Sequence, residues 1–248
     1  MDEKNNLKKI NYIATINSTN SELKRMLSAE TIPEFFAIRT GFQSAGKGQI
    51  GNSWEAQRGK NLLFSLLLKP HHIAISEQFI LSQIVSVAIV RVMQNHKIDC
   101  TIKWPNDIYV GDKKLGGILI ENSLRGNQID YSIIGVGLNI NQSIFKSNAP
   151  NPISTFNILS KKIDLKTLFL EIIEEIKQLY LHDDSNDIKS EYQQYLFRKN
   201  GLFNYKYPDN KLFEAEINAI GNDGKLWLKK RNGEIESFYF KEVEFVLT

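Results

Sequence analysis

The segment 41–60, polar and rich in glycine, joins two apolar runs at 35–40 and 61–69, and it narrows the folds open to this chain more than any other feature. Both flanking runs read as buried strands, so the order is strand, loop, strand with no helix between them. Gly46-Lys47-Gly48-Gln49-Ile50-Gly51 spells GxGxxG, yet a dinucleotide-binding turn should open directly into a helix packed on its strand. Here Asn52-Ser53-Trp54-Glu55 leads through Arg58-Gly59-Lys60 back into a strand. Gly41 to Lys47 also spells GxxxxGK, but Gly48 stands where a P-loop needs the Ser or Thr hydroxyl that holds magnesium. With both of those folds set aside, the loop keeps two useful properties. Its glycines let backbone N–H groups approach a phosphate, and Lys47, Arg58 and Lys60 supply positive charge. A mobile surface loop is the plain alternative.

Around this segment the rest of the chain falls into place. Residues 10–16 read as a strand, followed by Ser18-Thr19-Asn20 and a helical run at 22–29 that Ser18 or Thr19 could cap. Residues 75–96 carry Phe79, Ile80, Ile84, Val87, Ala88 and Val92 on one broad helical face, making the longest expected helix, which should cover a sheet. Three strand candidates follow: 109–110 before the Gly111-Asp112 turn, 114–121, and 131–139. Their short spacing implies antiparallel hairpins. A polar segment at 141–155 precedes helical runs at 165–181 and 186–197. From Gly201 the texture changes to short strands broken by Pro208-Asp209-Asn210, Gly221-Asn222-Asp223-Gly224 and Asn232-Gly233, the pattern of a small β-barrel. The expected division is therefore 1–198 and 199–248.

Composition excludes several classes. Hydrophobic residues at 42% and charged residues at 24% argue against disorder and against a fibrous repeat. Lys and Arg number 31 against 28 Asp and Glu, a bias too small to make nucleic acid the default partner. Cys100 is the only cysteine, which rules out an internal disulfide and a zinc cluster built on cysteine and agrees with a reducing compartment. His71 and His72 are adjacent and lack ligand spacing, so no metal site is expected. The opening MDEKNNLKKI has no apolar stretch, and the runs 62–68 and 84–90 are too short to span a bilayer. The expectation is a soluble, cytoplasmic protein with no membrane partner.

A second constellation lies in the middle of the chain. Lys103-Trp104-Pro105-Asn106-Asp107 sits beside a predicted hairpin, and Lys113-Lys114-Leu115-Gly116-Gly117 lies across its turn. Activating an acyl group with ATP needs cations at the α-phosphate and a carboxylate or amide to polarise an incoming amine. Lys103, Lys114, Asn106 and Asp107 offer those groups. Solvated strand-end lysines, a core tryptophan and an Asn-Asp turn would explain the same residues without chemistry. Gly135-Val136-Gly137-Leu138-Asn139 ends an apolar strand with small residues and an amide, either to admit an adenine edge or as a strand irregularity.

Four of these motifs, in this order, resemble the biotin-protein ligase family: Ser18-Thr19-Asn20; Gln43 through Trp54 with Gly59-Lys60-Asn61-Leu62; KWPND from Lys103 with Lys114-Leu115-Gly116-Gly117; and GVGLN ending at Asn139. The resemblance implies an α+β fold, with a mixed sheet flanked by helices like the class II aminoacyl-tRNA synthetase catalytic fold, and a C-terminal SH3-like barrel. It implies a two-step ligase: biotin's carboxylate attacks the α-phosphorus of ATP, pyrophosphate leaves, and a lysine of a biotin carboxyl carrier protein attacks the mixed anhydride. Ser18, Thr19 and Gln43 would bind the ureido ring, Asn20 would also belong to the biotin site, and Gly46, Lys47 and Gly117 would line the acyl tail. Lys114 would bridge carboxylate and α-phosphate, with Lys103 and Asp107 close to the phosphates and the attacking amine. Lys47, Gln49, Trp54, Asn106 and Asn139 would meet the nucleotide, Trp54 at the adenine. Magnesium is expected with the triphosphate, held by substrate oxygens and water more than by protein.

The sequence departs from the family's pattern in the glycine loop, where Gln49 and Asn52 stand at positions that are arginine in many members. A neutral amide cannot clamp the phosphate of the intermediate as a guanidinium does, so looser retention of biotinyl-AMP is expected. Some members begin with a DNA-binding domain and repress transcription. Here the first catalytic strand starts at Ile10, and no operator binding is expected. A homodimer is compatible with an exposed sheet edge. The rival functions are a lipoate-protein ligase, with the same fold and adenylation chemistry, and a non-catalytic biotin-binding protein.

Overall fold

Every residue of β3 (Leu62–Leu68) is buried, so this strand needs covered faces on both sides. Its even-numbered positions, Leu62, Phe64, Leu66 and Leu68, enter the main core, while Leu67 joins a smaller cluster with Leu23, Ile38 and Ile133 on the opposite face. In the computed structural model, which describes residues 10–49, 51–146, 151–182 and 184–247, β3 is third in a seven-stranded mixed sheet. The other strands are β1 (Ile10–Ile13), β2 (Ala37–Thr40), β4 (Thr101–Lys103), β5 (Asp107–Val110), β6 (Lys113–Arg125) and β7 (Gln128–Leu138), in the order β1-β2-β3-β7-β6-β5-β4. β1 pairs with β2 in parallel, and the remaining neighbours are antiparallel. The readings made for the opening residues 1–9, for Ile50 and for 147–150 fall outside the described residues.

Helix α1 (Thr19–Ala29) packs on the face of β2, β3 and β7 that carries the smaller cluster. The opposite face is covered by α2 (Ile80–Asn95), in which 13 of 16 residues are buried because α4 (Leu165–Tyr180) and α5 (Ser185–Gln194) close over its outer side. The expected helix at 75–96 is thus interrupted: Ile75–Glu77 form a short 3₁₀ turn, and the α-helix begins at Ile80. Ile75–Asn95 together have the length and hydropathy of a membrane span, beyond what the separate apolar runs suggested, but two thirds of its most apolar 18 residues are buried within the fold. Two short elements escaped sequence reasoning. β4 is three residues long, and α3 (Thr155–Leu159) is one turn held by a reciprocal capping box between Ser154 and Asn157.

The C-terminal region forms a five-stranded antiparallel sheet of β8 (Phe203–Lys206), β9 (Leu212–Ile220), β10 (Leu226–Lys230), β11 (Ile235–Phe238) and β12 (Glu244–Phe245), ordered β11-β10-β9-β8-β12. Its end strands β11 and β12 are not paired with each other among the described residues. This sheet is fastened to β4 and β5 by a shared apolar cluster in which Trp104, Tyr109 and Phe197 pack with Tyr205, Leu226, Phe238 and Phe245. The indole N–H of Trp104 donates to the Gly224 carbonyl at 2.8 Å.

Candidate active site

Strand register builds the site. Lys103 pairs with Asp107, Asp107 with Gly117, Gly117 with Gly137, and Gly137 with Leu63, so one row crosses β4, β5, β6, β7 and β3. The adjacent row on the same face runs Leu119, Gly135, Ser65. Side chains alternate along β7: Ile134, Val136 and Leu138 enter the core, and Gly135 and Gly137 face the other way. Glycine leaves room for a neighbouring side chain at both positions. A Cβ at Gly137 would sit 2.6 Å from the Trp54 ring, and one at Gly135 would sit 2.4 Å from Asn20 Oδ1.

Lys114 and Gly117 differ by an odd number of positions and in a regular strand would face opposite sides. A bulge resolves this. Ile108 pairs with Gly116 but Tyr109 pairs with Lys114, so Leu115 is the extra residue and Lys114 turns onto the face of Asp107 and Gly117. The backbone of Lys114 is pinned there by Asn151 and Ile153: Lys114 N–H donates to Asn151 at 2.8 Å, and Ile153 N–H donates to the Lys114 carbonyl at 3.0 Å. Lys114 Nζ then lies 2.7 Å from Asp107 Oδ1.

Two cavities meet at this ion pair. The inner pocket, with about 650 Å³ of free space, is lined by Ser18, Thr19, Asn20, Gln43, Lys47, Gln49, Trp54, Asn106, Asp107, Lys114 and Gly117, among others. The outer cleft, with about 1350 Å³, shares Gln49, Trp54, Asp107 and Lys114 with it and adds Lys103, Tyr109 and Asn139. Of the residues expected to bind biotin or nucleotide or to act in catalysis, only Gly46 lines neither, and the loop cations Arg58 and Lys60 also lie outside both, Arg58 donating to Thr15 and lying over the Phe42 ring. Gly46 lies behind the wall, where a Cβ would come 2.7 Å from the Trp54 carbonyl.

The inner end of the pocket presents defined donors and acceptors. Ser18 occupies the N-cap of α1 but makes no capping hydrogen bond with its side chain. Gln43 takes over that duty from 24 residues away: its Oε1 accepts the Thr19 N–H at 2.7 Å and the Thr19 hydroxyl at 3.1 Å. A backbone N–H can only donate, so the carboxamide orientation is fixed and Gln43 Nε2 is left as a donor. Thr19 Oγ1, its proton engaged, is left as an acceptor. Asn20 behaves differently. Its Nδ2 donates to Glu121 Oε2 at 2.6 Å and to the Leu119 carbonyl at 3.4 Å, and its Oδ1 accepts from Ser65 at 2.5 Å. Its donors are engaged within the protein, so Asn20 forms the pocket floor and brings no free N–H to a ligand. Asn106 is similarly engaged, accepting from Gln49 Nε2 at 2.8 Å and donating to the Ile118 carbonyl. Asn139 faces the outer cleft with its Oδ1 3.4 Å from Asn61 Nδ2.

The outer cleft is electrostatically open. Lys103 is partly buried and makes no ion pair or hydrogen bond among the described residues, its ammonium lying over the rings of Phe245 at 4.9 Å and Tyr109 at 5.4 Å. Burial draws its pKa below the ordinary lysine value; Lys114 and Arg198 act in the same direction, and Asp107 and Glu244 oppose them. The indole Nε1 of Trp54 is buried without a partner. Such a donor costs about 1–3 kcal/mol when unsatisfied, so a bound anion or carbonyl would relieve it. Trp54 lies against Gly137 and Gly117 and lines both cavities.

Sequence reasoning missed Ser65, Glu121, Tyr109 and Phe245. Ser65 carried a visible signal as the one polar residue in LLFSLLL. The others become visible only through register and through the docking of the C-terminal sheet.

The model of the Biotin/lipoate A/B protein ligase family matches residues 12–139, just over half of the chain, and the chain belongs to that family. The Bifunctional ligase/repressor BirA of Bacillus subtilis is 32% identical over 126 residues, covering 50% of this chain and 38% of that protein. The human Biotin–protein ligase is 31% identical over 144 residues, covering 55% of this chain and 20% of that protein. The chain thus spans well under half the length of these relatives. Among solved structures, the biotin protein ligase from Aquifex aeolicus in complex with biotin and ATP superposes with a TM-score of 0.80 at 20% identity, over 96% of this chain and 99% of that one. The ligase from Leishmania major in complex with biotinyl-5-AMP gives 0.66 at 21% identity, over 93% and 98%. At those identities the likeness is one of fold.

Proposed function

We propose that this chain is an ATP-dependent biotin-protein ligase. The observation that carries the reading is the Lys114 ammonium, turned by the Leu115 bulge onto the junction of the inner pocket and the outer cleft. A carboxylate held in the inner pocket and an α-phosphate held in the outer cleft would both lie beside it. In the first step a carboxylate oxygen bonds to the α-phosphorus, the bond to the β-phosphate oxygen breaks, and pyrophosphate leaves. Lys114 and Lys103 offset the charge that builds on the phosphoryl oxygens. In the second step the neutral amine of a carrier lysine attacks the acyl carbon and AMP leaves. Asp107 holds Lys114 in position and would accept a hydrogen bond from that amine.

The inner pocket favours biotin over lipoate. A urea offers N–H donors beside a carbonyl acceptor, which match the Thr19 hydroxyl acceptor and the Gln43 amide donor, whereas a dithiolane would leave both unpaired at a cost of about 1–3 kcal/mol each. A purely binding role would not require a cation at the cavity junction. Among the described residues no group of three or more His, Cys, Asp or Glu could hold a metal. Magnesium would arrive with ATP, held by phosphate oxygens and water more than by protein. We assign 1–198 to catalysis and 199–248 to an accessory role, the acceptor to a biotin carboxyl carrier domain, and the location to the cytoplasm, with which a single buried cysteine agrees.

Pyrophosphate release from magnesium ATP, measured with biotin or lipoate as the acid, tests the reading. Biotin-dependent release that disappears in Lys114→Ala is expected. Tight biotin binding without release, or release driven equally by lipoate, would overturn it.

A further inference from the structure

The structure assigns the C-terminal sheet a part in the adenylation step, an inference that rests on the proposed ligase reading: Phe245 of β12 is a positioning residue that, with Tyr109 of β5, holds the Lys103 ammonium toward the outer cleft. Lys103 ends β4, and no anion among the described residues fixes its head group. A four-carbon side chain without a hydrogen-bonded partner would sample many rotamers. What restrains it is aromatic. The ring centroids of Phe245 and Tyr109 lie 4.9 Å and 5.4 Å from Nζ, within reach of cation–π attraction.

The two rings reach Lys103 from different parts of the chain. Tyr109 is on the catalytic sheet and packs on Phe197 at 5.4 Å; Phe245 is on the C-terminal sheet, packing on Phe197 at 6.2 Å and on Tyr205 at 5.0 Å. The Arg198 guanidinium fixes the next residue along, donating to the Val246 carbonyl at 2.8 Å. β12 is thereby clamped against the end of the catalytic sheet, and its phenyl ring shuts water away from one side of Lys103. The charged groups around that ammonium are Asp107 of β5, Lys114 of β6, Glu244 of β12 and Arg198. The two acidic ones are engaged elsewhere, Asp107 with Lys114 and Glu244 with Lys206. A partly dehydrated cation with no counter-ion favours an incoming phosphate more than a hydrated one does, which gives the cradle a catalytic consequence.

The test combines a titration with kinetics. The ε-nitrogen of Lys103 is titrated by NMR in isotopically labelled full-length protein, its signal assigned by its loss in Lys103→Gln. In Phe245→Ala, water should reach the ammonium, its midpoint should move up toward the ordinary lysine value, kcat/KM for ATP should fall about tenfold or more, and KM for biotin should stay within about twofold. Phe245→Trp should restore both readouts, and the exposed Leu212→Ser on the same sheet should change neither. A folded Phe245→Ala protein with the parent's titration and ATP kinetics would overturn the inference. Where Phe245→Ala fails to fold, Phe245→Leu decides, because it keeps the bulk and removes the π face: an ATP kcat/KM equal to the parent's would overturn the proposal, and a fall reversed by Trp would support it. If the parent itself releases no pyrophosphate, the ligase reading fails, and the titration still tests the cradle alone.

Discussion

The inner pocket and the outer cleft share Trp54, Asp107 and Lys114 yet are built on opposite principles. In the pocket the three amides have protein partners: Gln43 answers Thr19, Asn20 answers Ser65 and Glu121, and Asn106 answers Gln49. What it leaves over is a small, fixed set of donors and acceptors. In the cleft Lys103 has no anion and the Trp54 N–H no acceptor. The pocket is organised to discriminate between neutral shapes, and the cleft is left short of negative charge until a ligand brings it. Specificity comes from satisfied groups and charge stabilisation from unsatisfied ones.

Substitutions should separate the two regions, and the largest effect falls where they meet. Lys114→Ala removes the shared cation and should lower biotin-dependent pyrophosphate release by about a hundredfold or more, while Asp107→Asn should cost less, since Lys114 remains. Gln43→Glu keeps the acceptor for Thr19 but removes the amide donor and adds a charge facing an uncharged ring. It should raise KM for biotin about 10–100-fold with KM for ATP unchanged, as steady-state kinetics would show. Gly137→Ala would push on the Trp54 ring at 2.6 Å. A rise in both KM values is expected; an effect confined to biotin would mean that Trp54 serves the pocket alone.

The cleft carries its own signature in pH. Lys103 has a depressed pKa in the folded protein, so it sheds its proton below the ordinary value of 10.5, at which the unfolded chain releases it. Between those two pKa values the unfolded chain binds more protons, so the contribution of this group to stability rises with pH while its usefulness to a phosphate falls. kcat/KM for ATP should therefore decline on the alkaline side earlier than a solvent-exposed lysine would allow, and Lys103→Arg should move that limb upward. The smallest expected effect belongs to Gln49→Arg. Placing a guanidinium beside Asn106 at the mouth of both cavities should slow dissociation of biotinyl-AMP a few-fold, and an unchanged off-rate would remove the argument from loop charge.

Much of this was legible in the sequence because it is local. The strand-loop-strand arrangement around 41–60, the hairpins ending at Asn139, and the helices at 80–95 and 165–180 follow from periodicity and turn chemistry. So does the clustering of Lys103, Asn106, Asp107, Lys114 and Gly117, which lie within two adjoining hairpins. Three things were not legible. The bulge at Leu115 is a register property with no signature in KKLGG, and without it Lys114 would point into the core. The partners that hold Asn20, Ser65 and Glu121, are brought to it only by sheet pairing. The contact of Phe245 with Lys103 depends on how the second sheet docks, which no local pattern encodes.

The most direct test of the division between pocket and cleft is equilibrium binding of biotin and of ATP, each titrated calorimetrically into the parent, Gln43→Glu and Lys103→Ala. A crossed pattern is predicted: Gln43→Glu loses biotin affinity by about tenfold or more and keeps ATP, and Lys103→Ala loses ATP and keeps biotin. If both variants weakened both ligands equally, or if Lys103→Ala left ATP affinity intact, the two cavities would not have the separate roles assigned to them.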